Sequence, residues 1–294
     1  MSRKTAADFD PEVMKLFDQY VHGRISRRGF LSSAGQYAVG GATAASLLAA
    51  LSPSFAAPMV AGDDSRIKTR YVEYPSPEGS GTMRGYLAEP VNPKGKLPLV
   101  LVAHENRGLN PHIEDIARRL ALDGFRAFAP DALFPLGGYP GDEDKARALF
   151  GKLDAAKTKA DFIAAARWLE AQPQGNGKIG VVGFCWGGGI ANYLATQLPE
   201  LAAAVPFYGA QPGAADTARI KAALLIHDAE KDERIRAGWP AYEKALKDAG
   251  INYQYFVYPG VEHGFNNDTT PRYDAPAAKL AWQRTVDFFH AKLG

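Results

Sequence analysis

Between residues 97 and 258 the chain repeats one pattern: a short apolar run, then a longer stretch in which apolar positions recur every three or four residues. The runs are 97–103, 125–129, 178–184, 202–208, 222–227 and 253–258, and polar residues scarcely interrupt them. A strand with one wet face would alternate, so these runs predict strands covered on both sides. The stretches between them predict helices over 111–122, 142–153, 158–171 and 240–248, another from 188, and a closing one over 277–292. Asn110 is placed to cap the first of these helices, Pro111 suits its first turn, and Gly124 closes it. Residues 70–74 and 83–88 flank a Pro-, Gly- and Ser-rich stretch and read as an antiparallel opening pair. Strands and helices alternating in this way predict an α/β fold: a mostly parallel central sheet with helices on both faces.

The run at 178–184 ends abruptly. In Lys178-Ile-Gly-Val-Val-Gly-Phe-Cys-Trp-Gly-Gly-Gly the chain's one cysteine follows the strand directly, and a small-residue helix begins at once. Turning from strand to helix within one residue strains the backbone at the apex and leaves no room for a Cβ two positions before or after it. Gly183 and Gly187 meet that demand, giving G-x-C-x-G, the nucleophile-elbow spacing with sulfur in place of oxygen. Such a turn lifts Cys185 above the sheet and aims the backbone N–H of Trp186 at a developing oxyanion. The bland alternative is an inert core cysteine beside glycines that let a helix pack closely.

Elbow hydrolases carry an acid and then a base downstream of the nucleophile, each at a strand end. The run 222–227 leads into Asp228-Ala-Glu-Lys-Asp232, and the run 253–258 leads through Pro259-Gly260 to His263. Cys185, Asp232 and His263 satisfy that order. Asp228, at the strand end itself, and Glu230 compete for the acid role; Asp232 is favoured because a loop there can reach across to the imidazole.

Leu101-Val-Ala-His-Glu105-Asn-Arg-Gly-Leu-Asn, Ala129-Pro-Asp131, Gly183-Phe-Cys185-Trp-Gly-Gly and Pro259-Gly-Val-Glu-His263-Gly-Phe, in that order, resemble the dienelactone hydrolase family from about residue 70 to the C-terminus. The resemblance implies an α/β-hydrolase fold, a triad of Cys185, Asp232 and His263, and a glutamate facing the thiol, here Glu105. It implies an oxyanion hole made by the backbone N–H groups of Asn106 and Trp186, and no metal or organic cofactor. Family members that act on dienelactone hold its carboxylate with arginines, one of them four residues beyond the histidine. Asn267 stands at that position, and the loop after Asp131 offers no arginine. The expected substrate is therefore a small-molecule lactone or ester, neutral rather than anionic. Phe134, Tyr139, Tyr208 and Phe265 are candidates to line its pocket, although core packing explains each equally well.

The chemistry also follows from the residues. A thiolate is a strong nucleophile, and pairing with His263 favours it, while Asp232 fixes the imidazole tautomer. A carboxylate at Glu105 opposes thiolate formation by like-charge repulsion, which would keep the resting thiol protonated; alternatively Glu105 pairs with Arg107 or a nearby amide. The competing class is a non-catalytic binding protein or a thiol redox sensor on the same fold.

Composition narrows the setting. With 294 residues, 46% of them hydrophobic, the chain can bury a full core, and a single cysteine excludes an internal disulfide. Net charge is +2, and residues 57–294 hold 28 basic and 28 acidic groups, no footprint for nucleic acid. His104 and His227, at strand ends, read as packing groups, and His22, His112 and His290 as surface or leader residues. No metal site is expected: position 108 is glycine, which breaks a zinc pattern at His104.

Residues 1–56 read as a separate signal region preceding one domain over 57–294. Ser26-Arg-Arg-Gly-Phe-Leu matches the twin-arginine export signal, followed by a mildly apolar stretch over 34–51 and Ser54-Phe-Ala56, a small-x-small cleavage site. The expected location is periplasmic or secreted, with the export machinery as partner. The alternatives are a cytoplasmic enzyme with a vestigial signal, or one anchored by an uncleaved signal. Residues 11–21 carry helical apolar spacing, unusual ahead of the arginines.

Overall fold

The computed structural model describes residues 4–294. Its strands are β1 (Ile67–Ser76), β2 (Gly81–Pro90), β3 (Leu97–Ala103), β4 (Arg126–Pro130), β5 (Gly175–Phe184), β6 (Ala203–Phe207), β7 (Ala223–Ala229) and β8 (Tyr253–Tyr258). They form one sheet in the order β1-β2-β4-β3-β5-β6-β7-β8, antiparallel at β1–β2 and β2–β4 and parallel beyond.

Successive side chains of the interior strands enter two different cores. Val100, Val102, Val182, Phe184, Val205 and Phe207 pack on one face with Ile113, Ile116 and Leu120 of α4 (Pro111–Leu122) and with Phe289. Leu99, Leu101, Ile179, Val181 and Ala204 pack on the other, against α6 (Ala155–Glu170), α7 (Trp186–Gln197) and α10 (Trp239–Asp248). Both faces are dry, which is why the strand sequences read as continuous apolar runs. The remaining helices are α1 (Pro11–Val21), α2 (Arg27–Ala34), α3 (Ala44–Leu51), α5 (Glu143–Phe150), the single turns α8 (Ala214–Thr217) and α9 (Glu233–Arg236), and α11 (Ala275–Leu293), which carries Phe289. In α4 the Asn110 side chain accepts from the Ile113 N–H, Pro111 opens the helix, and Gly124 beyond its end has φ +93°.

Register positions the site. Ala103 lies opposite Gly183, Phe184 opposite Phe207, and Phe207 opposite His227, so the C-terminal ends of β3, β5, β6 and β7 form one rim. The loops leaving that rim carry Glu105, Cys185, Tyr208 and Asp232.

The N-terminal helices build a small core of their own from Phe9, Val13, Met14, Phe17, Tyr20, Phe30, Ala34, Leu48 and Leu51. The mildly apolar stretch at 34–51 is not one helix: α2 ends at Ala34, a 3-10 turn spans Gly35–Tyr37, and α3 begins at Ala44. Gly40 and Gly41 lie between them at positive φ. Among the described residues no helix is long and apolar enough to cross a membrane.

The helical cover is fastened to the rim by polar contacts. Asp144 accepts from the Tyr20 hydroxyl and pairs with Arg27 and Arg147. Arg147 donates to the Tyr20 carbonyl and lies 4.0 Å above its ring. The Asn106 side chain donates to the Val21 carbonyl at 3.0 Å, and the Ser54 N–H to that of Thr269 at 2.8 Å.

Candidate active site

Cys185 follows β5 immediately and caps α7 with φ +56° and ψ −113°, a conformation that costs a non-glycine residue on the order of 1–3 kcal/mol. Its flanking glycines leave no alternative: a Cβ on Gly183 would lie 1.9 Å from the Gly187 carbonyl oxygen, and one on Gly187 would lie 2.1 Å from that of Ala103. Strand-to-helix closure is thus bought by two bare backbones and one strained apex. The Trp186 N–H, at the first turn of α7, has no intrahelical partner. Among the described residues neither it nor the Asn106 N–H finds an acceptor. Both remain available to an oxyanion.

His263 Nδ1 hydrogen-bonds Asp232 Oδ2, and a ring nitrogen of His263 lies within 4.8 Å of the thiol sulfur. Of the three candidate acids it is Asp232 that meets the imidazole. Glu230 accepts instead from the Gly260 N–H at 2.8 Å. Burial, reinforced by the neighbouring Asp232 charge, raises the Asp228 carboxyl to about 7.

The thiol has a second partner that sequence reading placed in the leader. His22, at the end of α1, sits with Nε2 3.5 Å from Cys185 Sγ. Its Nδ1 lies 2.8 Å from the Asp18 carbonyl oxygen and 3.1 Å from the Asp18 carboxylate. The His22 and His263 rings meet edge to face at 4.8 Å. No local signal in the sequence revealed this, because the contact spans 163 positions.

Burial alone would raise the Cys185 thiol, but the charge of His263 and the hydrogen bond with His22 outweigh it and bring the thiol down to about 6. His263 moves the opposite way. Burial would lower it, yet the thiolate and Asp232 together carry it up to about 10. His22 is likewise raised, its burial overcome by Asp18 and then by Cys185. Both shifts favour a thiolate beside an imidazolium.

Glu105 engages a nearby amide, the alternative its sequence setting left open. It accepts a 2.8 Å hydrogen bond from the Asn267 side chain, the residue standing where an arginine was expected, and it lines a smaller cavity of about 300 Å³ with Tyr139. The thiol's hydrogen-bond partners are His22 and His263.

The main cavity, about 660 Å³, is lined by Cys185, Trp186, Tyr208 and Arg234 together with residues 21–26. Tyr208, itself at φ +39°, packs its ring 4.8 Å from that of His263. Phe134 and Phe265 line neither cavity: Phe265 is wholly buried between Tyr208 and Tyr258, and Phe134 lies beneath Arg84. The loop after Asp131 contributes no arginine to this cavity, but Arg24, Arg147 and Arg234 border it.

Of the remaining histidines, His104 stacks on Trp186 and His227 sits between Tyr258 and Thr285, both buried packing groups. His112, expected at the surface, is buried 3.0 Å from Asp268, which a distant loop brings under α4. Among the described residues one set has metal-ligand geometry, His22, Cys185 and His263, whose ligand atoms lie within 4.8 Å of one another.

A cysteine held at a strand-to-helix apex, over the rim of a mostly parallel sheet, defines an α/β-hydrolase. The chain belongs to the dienelactone hydrolase family, whose model matches residues 83–293. A second model, YqhI-like, matches residues 1–40. A Synechocystis protein provisionally named carboxymethylenebutenolidase is 34% identical over 245 residues, 77% of this chain and 98% of its own length. An Escherichia coli K-12 chain provisionally named hydrolase fragment YghX is 51% identical over 113 residues, 38% of this chain and 97% of its own. The crystal structure of a provisionally assigned dienelactone hydrolase from Klebsiella pneumoniae superposes with a TM-score of 0.67 at 32% identity, covering 76% of this chain and 99% of that one. A dienelactone hydrolase-like promiscuous phosphotriesterase from metagenomic libraries gives the same TM-score at 26% identity, over 78% and 100%. The chain is a hydrolase of this type.

Proposed function

We propose that the enzyme cleaves lactones or small carboxylic esters through a covalent acyl-enzyme on Cys185. The observation that carries this reading is the thiol at the strained apex, with His263–Asp232 on one side and two unpaired backbone N–H groups beside it. The thiol rests ionised beside the His263 imidazolium, which Asp232 holds, and the thiolate attacks the ester carbonyl. The N–H groups of Trp186 and Asn106 receive the oxyanion, the alcohol leaves, and water then releases the acid from the thioester. No step needs a cofactor. Purified enzyme should turn over a chromogenic short-chain ester and lose that activity on alkylation with iodoacetamide. Turnover that survives complete alkylation would refute the cysteine mechanism; absence of turnover on any ester or lactone would favour a binding module or a redox sensor.

The twin-arginine sequence supports export of the folded chain to the periplasm. Arg28 is exposed, and Arg27 reaches Asp144 at the surface. Replacing Arg27 and Arg28 by lysine should hold the protein in the cytoplasm, since the receptor reads the arginine pair itself. Wild-type protein found only in the cytoplasmic fraction would overturn this. N-terminal sequencing of the exported form decides whether a cut near Ala57 removes the helical cover or export leaves it in place.

A further inference from the structure

Two imidazoles reach one sulfur from unrelated parts of the chain, each with its own carboxylate behind it. His263 is backed by Asp232, and His22 by Asp18. In both, Nδ1 faces the acceptors and so carries the proton, which leaves the Nε2 of His22 toward the thiol. His22 also lines the main cavity together with Cys185. Resting on the Cys185 reading above, we infer that His22, positioned by Asp18, is a second acid–base residue of the active site, which protonates the departing alcohol and then deprotonates the hydrolytic water.

The step balances. Thiolate attack forms the C–S bond, collapse of the tetrahedral intermediate breaks the C–O bond, and the alkoxide takes the proton of the His22 imidazolium. Neutral His22 then accepts a proton from water as the oxygen attacks the thioester. Collapse expels the thiolate, releases the acid and returns His22 to imidazolium. His263 stays protonated beside the sulfur throughout. The division suits the chemistry, because a thiolate leaves more readily than an alkoxide, so an intermediate without a proton donor for the alkoxide reverts. His263, raised to about 10 between two anions, is a reluctant donor, and efficient acids titrate near the working pH.

The groups facing His22 are Asp18 on its own helix, Cys185 and His263 across the site, and Arg234, whose guanidinium lies 3.2 Å from Nε2. Arg272 stands 4.0 Å behind Asp18. Asp18 and the thiolate favour the imidazolium; His263 and the arginines oppose it.

The test uses the full-length chain and two esters of one acid, an ethyl ester whose alkoxide needs a proton and a p-nitrophenyl ester whose phenolate does not. His22→Gln should lower kcat/KM on the ethyl ester on the order of 10²-fold or more, with a loss at least roughly tenfold smaller on the nitrophenyl ester. Equal losses on both would make His22 structural, and equal gains would make it a mere obstruction; either result overturns the inference. Asp18→Asn gives an independent readout: the alkaline limb of the ethyl-ester pH profile should move to lower pH, because the imidazolium loses its anion. An unmoved limb overturns Asp18's part. Cys185→Ala run alongside separates the levels, since activity surviving in that variant sinks the cysteine mechanism itself, whereas a dead Cys185→Ala with no ester split in His22→Gln sinks only the present inference.

Discussion

His263 and His22 approach the same sulfur from regions built in opposite ways. His263 leaves β8, a strand of a sheet dry on both faces, and its loop is fixed by packing that involves most of the domain. His22 ends α1, whose apolar face is buried only within a nine-residue core shared with α2 and α3. The first region is positioned by close-packed shape, and the second is laid on the rim by Asp144, Arg147 and Asn106. Shape of that kind fails all at once, whereas polar docking can be loosened without unfolding what lies beneath it. The contrast makes the N-terminal helices a separately docked wall that brings His22 to a thiol the packed region holds.

The largest expected effect belongs to the residue both regions share. Cys185→Ala should lower ester turnover on the order of 10³-fold or more with unchanged circular dichroism, and His263→Ala should be non-additive with it. Activity within tenfold of wild type in either variant would detach the chemistry from the elbow. Gly187→Ala attacks the packed region: its Cβ would fall 2.1 Å from the Ala103 carbonyl oxygen, with backbone on both sides. It should destabilise the whole domain by about 3 kcal/mol, read as one cooperative shift in a denaturant melt. A melt like that of wild type would mean the elbow is looser than described.

Asp144→Ala attacks the docked region. Losing the shared acceptor of Tyr20, Arg27 and Arg147 should weaken docking by about 1–3 kcal/mol. Limited proteolysis should then cut within residues 4–56 while the melt of the sheet domain stays put; a cooperative loss of both would erase the contrast between the regions.

Smaller effects concern the titration. With the thiol at about 6, alkylation by iodoacetamide should be half-maximal near that pH and decline below it, as the thiolate is protonated. Asp232→Asn withdraws support from the His263 imidazolium, so the midpoint should move up; a midpoint that stays put would deny the imidazolium its role. Smallest of all, Glu105→Gln should alter the alkylation rate by less than about threefold, because Asn267 already engages that carboxylate. A larger acceleration would restore Glu105 as the group that restrains the thiol.

Much of this was legible beforehand, for local reasons. The helix at Pro111–Leu122 and the strands at Leu97–Ala103 and Tyr253–Tyr258 have the bounds that capping and apolar runs predict. The elbow was legible because steric exclusion of two Cβ atoms acts within five residues. What escaped depends on contacts between distant segments. The spacing of Val13, Met14, Phe17 and Tyr20 gave a helix, but nothing in it told that its last turn would deliver His22 to Cys185. His112 looked like a surface residue because Asp268, which accompanies it into burial, lies far along the chain. Which amide Glu105 would engage was hidden too, because Asn267 reaches it only once both loops are in place.

The covalent step can be seen directly. Full-length enzyme mixed with an activated acyl ester and quenched within one turnover should gain the mass of a single acyl group, mapped by peptide mass spectrometry to the segment containing Cys185 and absent from Cys185→Ala. An adduct on another residue, or brisk turnover with no thioester trapped at any quench time, would contradict the assignment of Cys185 as the nucleophile.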